Sequence, residues 1–526
     1  MTEVALRTRT RPLSRATTWD LTPRAFAIAI GVTSAAVATV LAVFIQRWPP
    51  HEDETLALFV GRGSLPHMLH TVIAQRGGAP LHFLFAWTVV HLGGGLIALR
   101  AVSVLFAVAS VPAIALLGAR LADRAVGVVA AVLASATWVF LFHGIYGRMY
   151  SLFLFTSALS FVALLNALER EGRRRFVLWG LALFAALASH PYAGIVFVAQ
   201  ALYVVLRGDR RRAGLTTIAV VAVAATPFWF ADLVLRDRLE IGVGGGGTRL
   251  GSPGAVGHYL WWVAGDFSAG PHDWLPAVLV LAAVGFVLLA ARRRSVGLLT
   301  ACVIVVPTIA LTLARLNWTA SPQSRHLIFA LPFFSTLLAA ALVAAAAIGA
   351  LVFGEARWAN GKTPPLFHGE SSAQLHARAR AAAWLASTGR PDDVLLGYEP
   401  LYLVAWERNS SLSRHALPRA DPKLLASALQ SLHEPLGRGV WVFDSSDTTN
   451  SVRRARIRLV MPQPARAFVA RAFGPYLVIR SRAPLGTRLN YLLVSERVMR
   501  LGRSLGIGDA DINLHALLIA SKRFRS

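Results

Sequence analysis

The chain has 526 residues, of which 55% are hydrophobic and only 15% are charged, and its mean hydropathy is +0.54. The net charge is +26, but much of the basic charge lies in short arginine-rich loops between apolar runs, so we expect no nucleic-acid partner. The single cysteine, Cys302, excludes disulfide bonds within the chain.

Long uncharged runs recur through residues 1–354, and each is close to the roughly 20 residues that a helix needs to cross a bilayer. Open sheet edges are not tolerated in hydrocarbon, so the spans are predicted to be helical. Residues 25–46 are too long and too weakly terminated for a cleaved signal peptide, which predicts an uncleaved first span. Residues 1–24 form a basic tail, which we expect on the cytoplasmic side.

Arginine-rich loops set the expected orientation, since short cytoplasmic loops carry an excess of basic residues. Three such loops lie at residues 169–175, 207–212 and 292–294. The apolar run 176–206 lies between two of them and must therefore cross twice, with its outer turn at 190–192. Each arm then has about 14 residues, roughly 21 Å of helix, so we expect this turn to lie inside a cavity below the outer surface.

The same rule predicts about 10–12 spans in all. The remaining spans are expected near 101–119, 125–142, 151–168, 214–235, 275–291, 295–314 and 327–353. The segment 79–98 is expected to lie in the interface or to re-enter the membrane. The outward loops are then 47–78, 143–150, 190–192, 236–274 and 315–326. Among them, 236–274 contains four consecutive glycines and is a candidate lid or entry gate.

Residues 357–526 mix polar, charged and apolar residues as a soluble domain does, which leaves 25–354 as the membrane domain. Pro364-Pro365 marks the junction. Short apolar segments are typical of buried strands, and helical stretches lie around them. The strands begin near Asp393, Gly439 and Gly474, and the helices cover about 372–388, 421–434 and 487–503. We predict a small C-terminal α/β domain, on a side of the membrane that the span count leaves open.

Acidic residues are rare in this chain, at 27 of 526, yet three follow one another directly after the first span. Glu52, Asp53 and Glu54 lie at the expected outer edge of the membrane. A run of charge is usually a solvated surface, and that alternative stays open here. An ionisable group held at a membrane boundary is nevertheless a functional candidate, because placing it there is costly.

Two arginines are expected on the same outer side. Arg148, with Tyr150, lies at the start of one span, and Arg325, with His326, lies at the start of another. A guanidinium group presents a rigid fork of donors that suits phosphate. An arginine at the end of a span can instead be a lipid anchor, and that alternative also stays open.

Imidazole and phenol groups join this set. His190 and Tyr192 belong to the predicted outer turn, where a histidine beside a proline fits a structural turn as well as a ligand contact. His82 follows a glycine-containing loop. A carboxylate pair, two arginines and several rings on one side of the membrane together indicate a site for phosphate-linked chemistry. No P-loop, H-E-x-x-H motif or metal-spaced Cys/His cluster is evident in the sequence.

Short motifs follow one another in a recognisable order along the chain. They are Asp53-Glu54, Gly78-Ala79-Pro80-Leu81, Tyr146-Gly147-Arg148-Met149-Tyr150, His190-Pro191-Tyr192 and Arg325-His326-Leu327. This order resembles that of the class C membrane glycosyltransferases (GT-C), in particular the protein O-mannosyltransferase and lipid A aminoarabinose transferase branch. The resemblance covers roughly residues 25–340 and implies a polytopic α-helical fold of the GT-C type.

The resemblance also implies roles for individual residues. It assigns the catalytic carboxylate to Asp53, with Glu54 beside it, and the donor phosphate contacts to Arg148, Tyr150 and Arg325. Two motifs depart from the family pattern, which commonly has His-Pro-Pro-Leu at residues 78–81 and Arg-Tyr-Leu at residues 325–327. We keep four rings as predicted substrate contacts: His82, His190, Tyr192 and His326.

The activity that the resemblance implies is inverting glycosyl transfer at the bacterial plasma membrane. A sugar would move from a polyprenyl-phosphate carrier to an acceptor hydroxyl on the outer face. The family favours mannose, while arabinose and aminoarabinose stay open, and the acceptor is expected to be a protein, a glycolipid or a cell-wall glycan. The arginines can supply positive charge, so no cofactor is required, and a divalent cation stays an open alternative.

Two other classes of protein fit part of the pattern. A transporter or flippase of a lipid-linked sugar would also need outer arginines and a cavity, but such proteins usually carry a repeat, and none is evident in the sequence. A non-catalytic scaffold, whose C-terminal domain binds a partner, would have no need of the acidic cluster.

Overall fold

The computed structural model describes residues 21–76, 78, 80–239, 252–314, 323–342, 345–413, 415–444, 467–507 and 509–525. The N-terminal part of this chain is built from helices, and the C-terminal part combines helices with one sheet. The predicted tail, residues 1–24, lies mostly outside the described residues, as does the glycine-rich part of the candidate lid at 240–251.

The helices of the N-terminal part are α1 (Pro23–Phe44), α2 (Glu52–Gly61), α3 (Leu65–Thr71), α4 (Pro80–His91), α5 (Leu96–Leu121), α6 (Arg124–Ala136), α7 (Trp138–Ile145), α8 (Tyr150–Glu169), α9 (Arg173–Ser189), α10 (Ala193–Arg207), α11 (Arg211–Ala224), α12 (Thr226–Leu239), α13 (Pro253–Asp266), α14 (Leu275–Arg292), α15 (Arg294–Ala314), α16 (Leu331–Ala341) and α17 (Ala345–Lys362). A π-helical turn, Val72–Arg76, follows α3, and a 3-10 helix, Ser324–Ala330, leads into α16. Helices α1, α8, α14 and α15 lie within two residues of the predicted spans.

Six helices are long and apolar enough to cross a membrane, or up to eight spans if two bent pairs each count as one. The bent pairs are α6 with α7, at 66°, and α11 with the first part of α12, at 58°. This measure, applied to the described residues, gives fewer than the predicted 10–12 spans. Helices α9 and α10 are two predicted spans that it leaves out, because α10 has only 15 residues and the 17 residues of α9 begin with three arginines.

Pro191 separates α9 from α10, as predicted. Proline disfavours the helical conformation in the preceding residue, and His190 is accordingly extended, with φ at −159°. The Tyr192 backbone N–H donates to Nδ1 of His190 at 3.1 Å, which closes the turn. The predicted outer turn at 190–192 is therefore confirmed as a helix break.

Glycine permits the close approach of α5 and α6. A Cβ on Gly127 would lie 2.3 Å from the carbonyl oxygen of Ala115, a distance that no side chain could occupy. Small residues at such crossings let helix backbones pack tightly where the surroundings are apolar. The packing of α5 against α6 and α8 holds the helix that carries Arg100 in the bundle.

The C-terminal sheet has five strands in the order β2-β1-β3-β5-β4, with β2, β1 and β3 parallel and β3, β5 and β4 antiparallel. They are β1 (Val394–Leu396), β2 (His415–Leu417), β3 (Gly439–Asp444), β4 (Phe468–Phe473) and β5 (Tyr476–Ser481). The helices are α18 (Pro364–His368), α19 (Ser372–Thr388), α20 (Pro400–Arg408), α21 (Pro422–Gln430), α22 (Arg488–Ser504) and α23 (Asp509–Arg525). The predicted strands are β1, β3 and β5, and the predicted helices are α19, α21 and α22, so the α/β domain is confirmed.

The junction between the two parts is helical. Helix α17 continues through residues 354–357, where the membrane domain was predicted to end, so the domain limits stay a prediction. The C-terminal domain packs on α2 and α4, because Leu58 and Phe83 share one hydrophobic cluster with Leu395, Tyr402 and Trp406. The domain therefore lies at the end of the helix bundle where α1 finishes and α2 begins.

Candidate active site

The first turn of α2 comes soon after the first span, and His51 caps it. Nδ1 of His51 accepts a hydrogen bond from the Asp53 backbone N–H at 3.1 Å, and Oε2 of Glu54 accepts one from the His51 N–H at 3.2 Å. This reciprocal capping starts the helix. The positive end of the helix dipole stabilises the negative charges of the three acidic residues in that turn. Successive helical residues point about 100° apart, so the three carboxylates face three different surroundings.

Glu54 points inward and is fully buried. Arg100 of α5 donates two parallel hydrogen bonds to it, from Nε to Oε1 at 2.8 Å and from Nη2 to Oε2 at 2.6 Å. The Gly147 backbone N–H donates to Oε1 at 2.7 Å. The other donors of Arg100 reach backbone carbonyls that follow α1, those of Ile45, Trp48 and Pro49. Glu54 is therefore saturated, and it ties α2 to α5 and to the loop before α8.

Glu52 points toward the C-terminal domain. The Tyr398 backbone N–H donates to its Oε1 at 3.0 Å, and Nη2 of Arg419 lies 2.5 Å from its Oε2. This carboxylate therefore belongs to the contact between the two parts of the molecule.

Asp53 faces the other candidate residues. The Tyr146 hydroxyl donates to its Oδ2 at 3.3 Å, and Nη1 of Arg148 donates to its backbone carbonyl at 3.0 Å. Burial alone would raise the pKa of the Asp53 carboxyl. The charges of Arg148, His51 and Arg325, with the Tyr146 hydrogen bond, outweigh it and hold that pKa well below its ordinary value. Asp53 is therefore an ionised carboxylate at neutral pH.

Arg148 and Arg325 approach Asp53 with donors that protein does not satisfy. Arg148 lies in the loop between α7 and α8, and Arg325 lies in the 3-10 helix before α16. Each buries an Nε–H that has no hydrogen-bond partner among the described residues. The Arg325 guanidinium also lies 4.9 Å from the centroid of the Tyr150 ring. An unpaired buried donor costs about 1–3 kcal/mol, so this arrangement fits a bound acceptor such as phosphate.

A wall of rings extends from Asp53 across the site. The Tyr146 ring lies 5.9 Å from that of His143, which lies 4.7 Å from that of Tyr150. The wall then continues over three of the predicted substrate contacts. His190 lies 5.4 Å from Tyr150 and 5.8 Å from His326, and His326 stacks on Tyr192 at 4.6 Å. The structure thus brings together Asp53 and His326, which are 273 residues apart in the chain (326 − 53).

His82 lies at the start of α4 and is buried. Its Nε2 has no hydrogen-bond partner among the described residues, and the charge of Arg148 acts on its ring. The structure therefore places this predicted contact on the Arg148 side of the site.

Sequence reasoning missed Arg100, although the sequence carries a signal for it. Arg100 is the only charged residue between Arg76 and Arg120, and a lone charge within an apolar run needs a partner. His143 was also missed and has no such signal, since it lies in the apolar helix α7. It is fully buried, and neither ring nitrogen has a hydrogen-bond partner in the described chain.

Asp266 and Lys362 form a further ion pair that was not predicted. The Lys362 ammonium lies 2.6 Å from both carboxylate oxygens of Asp266, and 3.5 Å from the centroid of the Trp138 ring. Asp266 also accepts a hydrogen bond from the Ser324 hydroxyl at 2.5 Å, directly beside Arg325. These contacts hold the 3-10 helix that carries Arg325.

The described residues contain no group of three or more His, Cys, Asp or Glu side chains placed to hold a metal ion. The carboxylates near the site point apart, and two of them, Glu54 and Asp266, are occupied by Arg100 and Lys362. That no cofactor is required stays a prediction, with a divalent cation as the open alternative.

Comparisons with known proteins bear on this arrangement. Residues 77–231 match the family model described as dolichyl-phosphate-mannose-protein mannosyltransferase, a range that contains Arg148 and His190 but not Asp53 or Arg325. The chain is similar to ArnT from Cupriavidus metallidurans in the apo state, at 13% identity and a TM-score of 0.52, over 86% of this chain and 98% of that one. The chain has the GT-C fold.

A second structure with this fold is the apo oligosaccharyltransferase of Archaeoglobus fulgidus, at 11% identity and a TM-score of 0.51, over 82% of this chain and 71% of that one. ArnT bound to undecaprenyl phosphate gives 12% identity and a TM-score of 0.49, over 86% and 97%. No curated protein matches the sequence significantly. Identities this low establish the GT-C fold and not the substrate. The fold and the family match together indicate a polyprenyl-phosphate-dependent glycosyltransferase.

Proposed function

We propose that this chain transfers a neutral, mannose-like sugar from a polyprenyl-phosphate carrier to an acceptor hydroxyl at the outer face of the bacterial plasma membrane. The observation that supports this most is the shared site of one ionised carboxylate, Asp53, and two arginines with unsatisfied buried donors, Arg148 and Arg325. The family description, which names a dolichyl-phosphate-mannose donor, supports the same donor class.

Transfer from a phosphate carrier needs one base. A glycosidase needs a second carboxyl group to protonate a poor leaving group, whereas a departing phosphate is already a stable anion. Asp53 would take the proton of the acceptor hydroxyl, while Arg148 and Arg325 would hold the phosphate and stabilise its developing charge. Direct displacement by the acceptor inverts the anomeric centre. Glu54 is saturated by Arg100, so it acts as a positioning residue and not as a second base.

Donor binding would make Asp53 a stronger base. The two arginines hold its pKa low in the unliganded protein. A phosphate bound between them adds a negative charge beside the carboxylate and offsets their field, so the pKa of Asp53 rises. A base nearer the working pH takes a proton more readily. This favours an order in which the donor binds first and the acceptor is activated afterwards.

The charges around the site favour a neutral sugar over an aminosugar. Glu54 and Asp266 are each neutralised by a paired cation, which leaves one carboxylate and two guanidinium groups. These three groups have a net charge of +1, which the single negative charge of a sugar phosphodiester neutralises. A cationic aminosugar would add a buried positive charge with no partner, which is unfavourable. His82, His190, Tyr192 and His326 are the proposed contacts to the sugar hydroxyls.

The acceptor would give its hydroxyl proton to Asp53. A protein, a glycolipid or a cell-wall glycan each offers a hydroxyl for this step. A flippase of the same donor is the second candidate, since the unsatisfied arginine donors alone would also suit a lipid-phosphate carrier site.

One experiment separates these functions. The purified chain is reconstituted in vesicles with a labelled polyprenyl-phosphate sugar and an envelope extract as the source of acceptor. We expect labelled product that requires the protein, and higher turnover with mannose than with aminoarabinose on the same carrier. Movement of the donor across the bilayer without product would instead identify a flippase. Neither product nor movement, with any of these sugars, would contradict both functions.

A further inference from the structure

The C-terminal domain reaches the candidate active site through one arginine. Arg419, which follows β2, contacts Glu52 at 2.5 Å and also pairs with Glu399, the residue that precedes α20. The Tyr398 N–H donates to Glu52 at 3.0 Å, and the Thr55 hydroxyl donates to the Tyr398 carbonyl. The turn 397–399 and Arg419 therefore contact the first turn of α2 at both of its ends, Glu52 and Thr55.

The backbone of this turn is shaped for close approach. Gly397 has φ at +98°, a conformation that residues with a side chain rarely adopt. A Cβ there would lie 3.3 Å from Oε1 of Glu52 and 3.1 Å from the Arg419 side chain. The positive φ favours glycine at residue 397, and a side chain there would press on Glu52 and Arg419.

The two parts of the molecule have another attachment that does not involve Arg419. Phe59, on the next turns of α2, packs on the rings of Tyr398 and Trp406 at 5.5 and 4.6 Å. Arg62 lies over Trp406 at 4.0 Å. Since this hydrophobic contact holds the domain on α2, the polar contacts at the first turn are available for a different task.

We infer that Arg419 and the turn 397–399 are positioning elements of the active site, which fix the orientation of Asp53 through its neighbour Glu52. Asp53 directly follows Glu52 in the chain, so any rotation of this turn moves both carboxylates. A misplacement of about 1 Å can cost about 100-fold in rate. The inference rests on the proposed role of Asp53 as the base, and it gives the C-terminal domain a part in catalysis without direct substrate contact.

The test compares Arg419→Gln, Arg419→Lys and Glu52→Gln with the wild type. We expect Arg419→Gln to lower kcat about tenfold, to leave the Kd of unsubstituted polyprenyl phosphate unchanged, and to change the KM for the donor by less than about twofold. Arg419→Lys keeps the charge and should recover part of the loss. Glu52→Gln should give a similar loss, and the double variant should lose no more than either single one, because both break the same contact.

The matched control is the Arg503–Asp511 pair of the same domain, whose side chains are 63% and 61% exposed at a separation of 3.0 Å. Arg503→Gln should leave kcat unchanged. The inference is overturned if Arg419→Gln keeps wild-type kcat, or if its loss matches a loss of folded protein or of phosphate binding. If Arg419→Gln does not fold, the Glu52→Gln result decides in the same way.

Hydrogen exchange gives a readout that does not need turnover. The amides of Glu54 and Thr55 bond to the His51 carbonyl at 3.0 and 3.2 Å. Arg419→Gln should speed exchange of these amides but not of those later in α2. If the wild type has no transferase activity but this change is seen, the proposed function fails while the coupling stands. Unchanged exchange would contradict the coupling itself.

Discussion

Glu54 and Asp53 are adjacent carboxylates with opposite surroundings. Glu54 receives two hydrogen bonds from Arg100 and one from Gly147, so none of its capacity is left for a ligand. Asp53 instead faces Arg148 and Arg325, each of which buries an Nε–H without a partner among the described residues. Both carboxylates have arginines beside them, but they differ in whether their hydrogen bonds are already made within the protein. Glu54 is fully hydrogen-bonded and stabilises the fold, whereas Asp53 is left able to contact a ligand.

The largest effect that this comparison predicts is on turnover. Asp53→Asn keeps the shape of the side chain but removes the base, so kcat should fall by about 10²–10⁴-fold. Binding of polyprenyl phosphate, measured by calorimetry or fluorescence, should change little, since the arginines remain. Product from labelled donor measures the loss. An Asn variant with more than a tenth of wild-type turnover would contradict the assignment of Asp53 as the base.

The second prediction concerns the saturated side of the comparison. Glu54→Gln leaves Arg100 buried with an uncompensated charge, which should cost about 3–5 kcal/mol of stability. A thermal unfolding curve in detergent measures this as a lower Tm.

The matched control removes the charge of both partners, in Glu54→Gln with Arg100→Met, and should recover part of the loss. If Glu54→Gln folds as well as the wild type yet has no activity, the two carboxylates share the chemistry and the contrast between them is wrong.

The sequence predicted which residues form this site better than it predicted the different roles of Glu54 and Asp53. The limits of α1, α8, α14 and α15, the break at Pro191 and the α/β domain follow from local patterns, because apolar runs and prolines are written in the chain. The predicted single span 327–353 was wrong, since the structure divides it into a 3-10 helix, α16 and α17. The order of the motifs indicated that Asp53, Arg148 and Arg325 would cluster. The separation of Glu54 from Asp53 was not indicated in this way. It depends on Arg100, 46 residues away from Glu54, and on how α5 packs, which no local pattern specifies.

The contact of Glu52 with the C-terminal domain could not be predicted from the sequence either, because it also depends on residues that are distant in the chain. Its partners, Tyr398 and Arg419, are more than 340 residues away in the chain. An arginine in an arginine-rich domain carries no mark that distinguishes it from its neighbours. His143 likewise has no signal in an apolar helix, although it lies at the centre of the wall of rings.

A third prediction tests whether the unsatisfied donors bind phosphate. Arg325→Gln removes a charge-assisted contact that contributes about 1.5–3 kcal/mol, so the Kd of polyprenyl phosphate should rise about 10–100-fold. The comparison is Arg503→Gln, because Arg503 lies on the C-terminal domain, is 63% exposed and pairs with Asp511, so its loss should leave phosphate binding unchanged. If both variants bind phosphate as tightly as the wild type does, the open arginine donors do not form the phosphate site.

The smallest effect expected is a shift in pH dependence. In the unliganded protein the pKa of Asp53 lies well below its ordinary value, so kcat/KM should show no acidic limb from Asp53 above about pH 4. A phosphodiester donor stays ionised in this range and adds a negative charge near Asp53, which makes ionisation of the carboxyl less favourable and raises its pKa. Because kcat reports the donor complex, its acidic limb should lie at higher pH than that of kcat/KM. A variant at Arg325 sharpens this test. Arg325→Gln removes one of the cations that lower the pKa of Asp53, so the acidic limb of kcat/KM should move to higher pH and lie closer to the limb of kcat.

If the two acidic limbs coincide in the wild type, the bound phosphate does not lie beside Asp53. The contrast between Asp53 and Glu54 would then need another explanation.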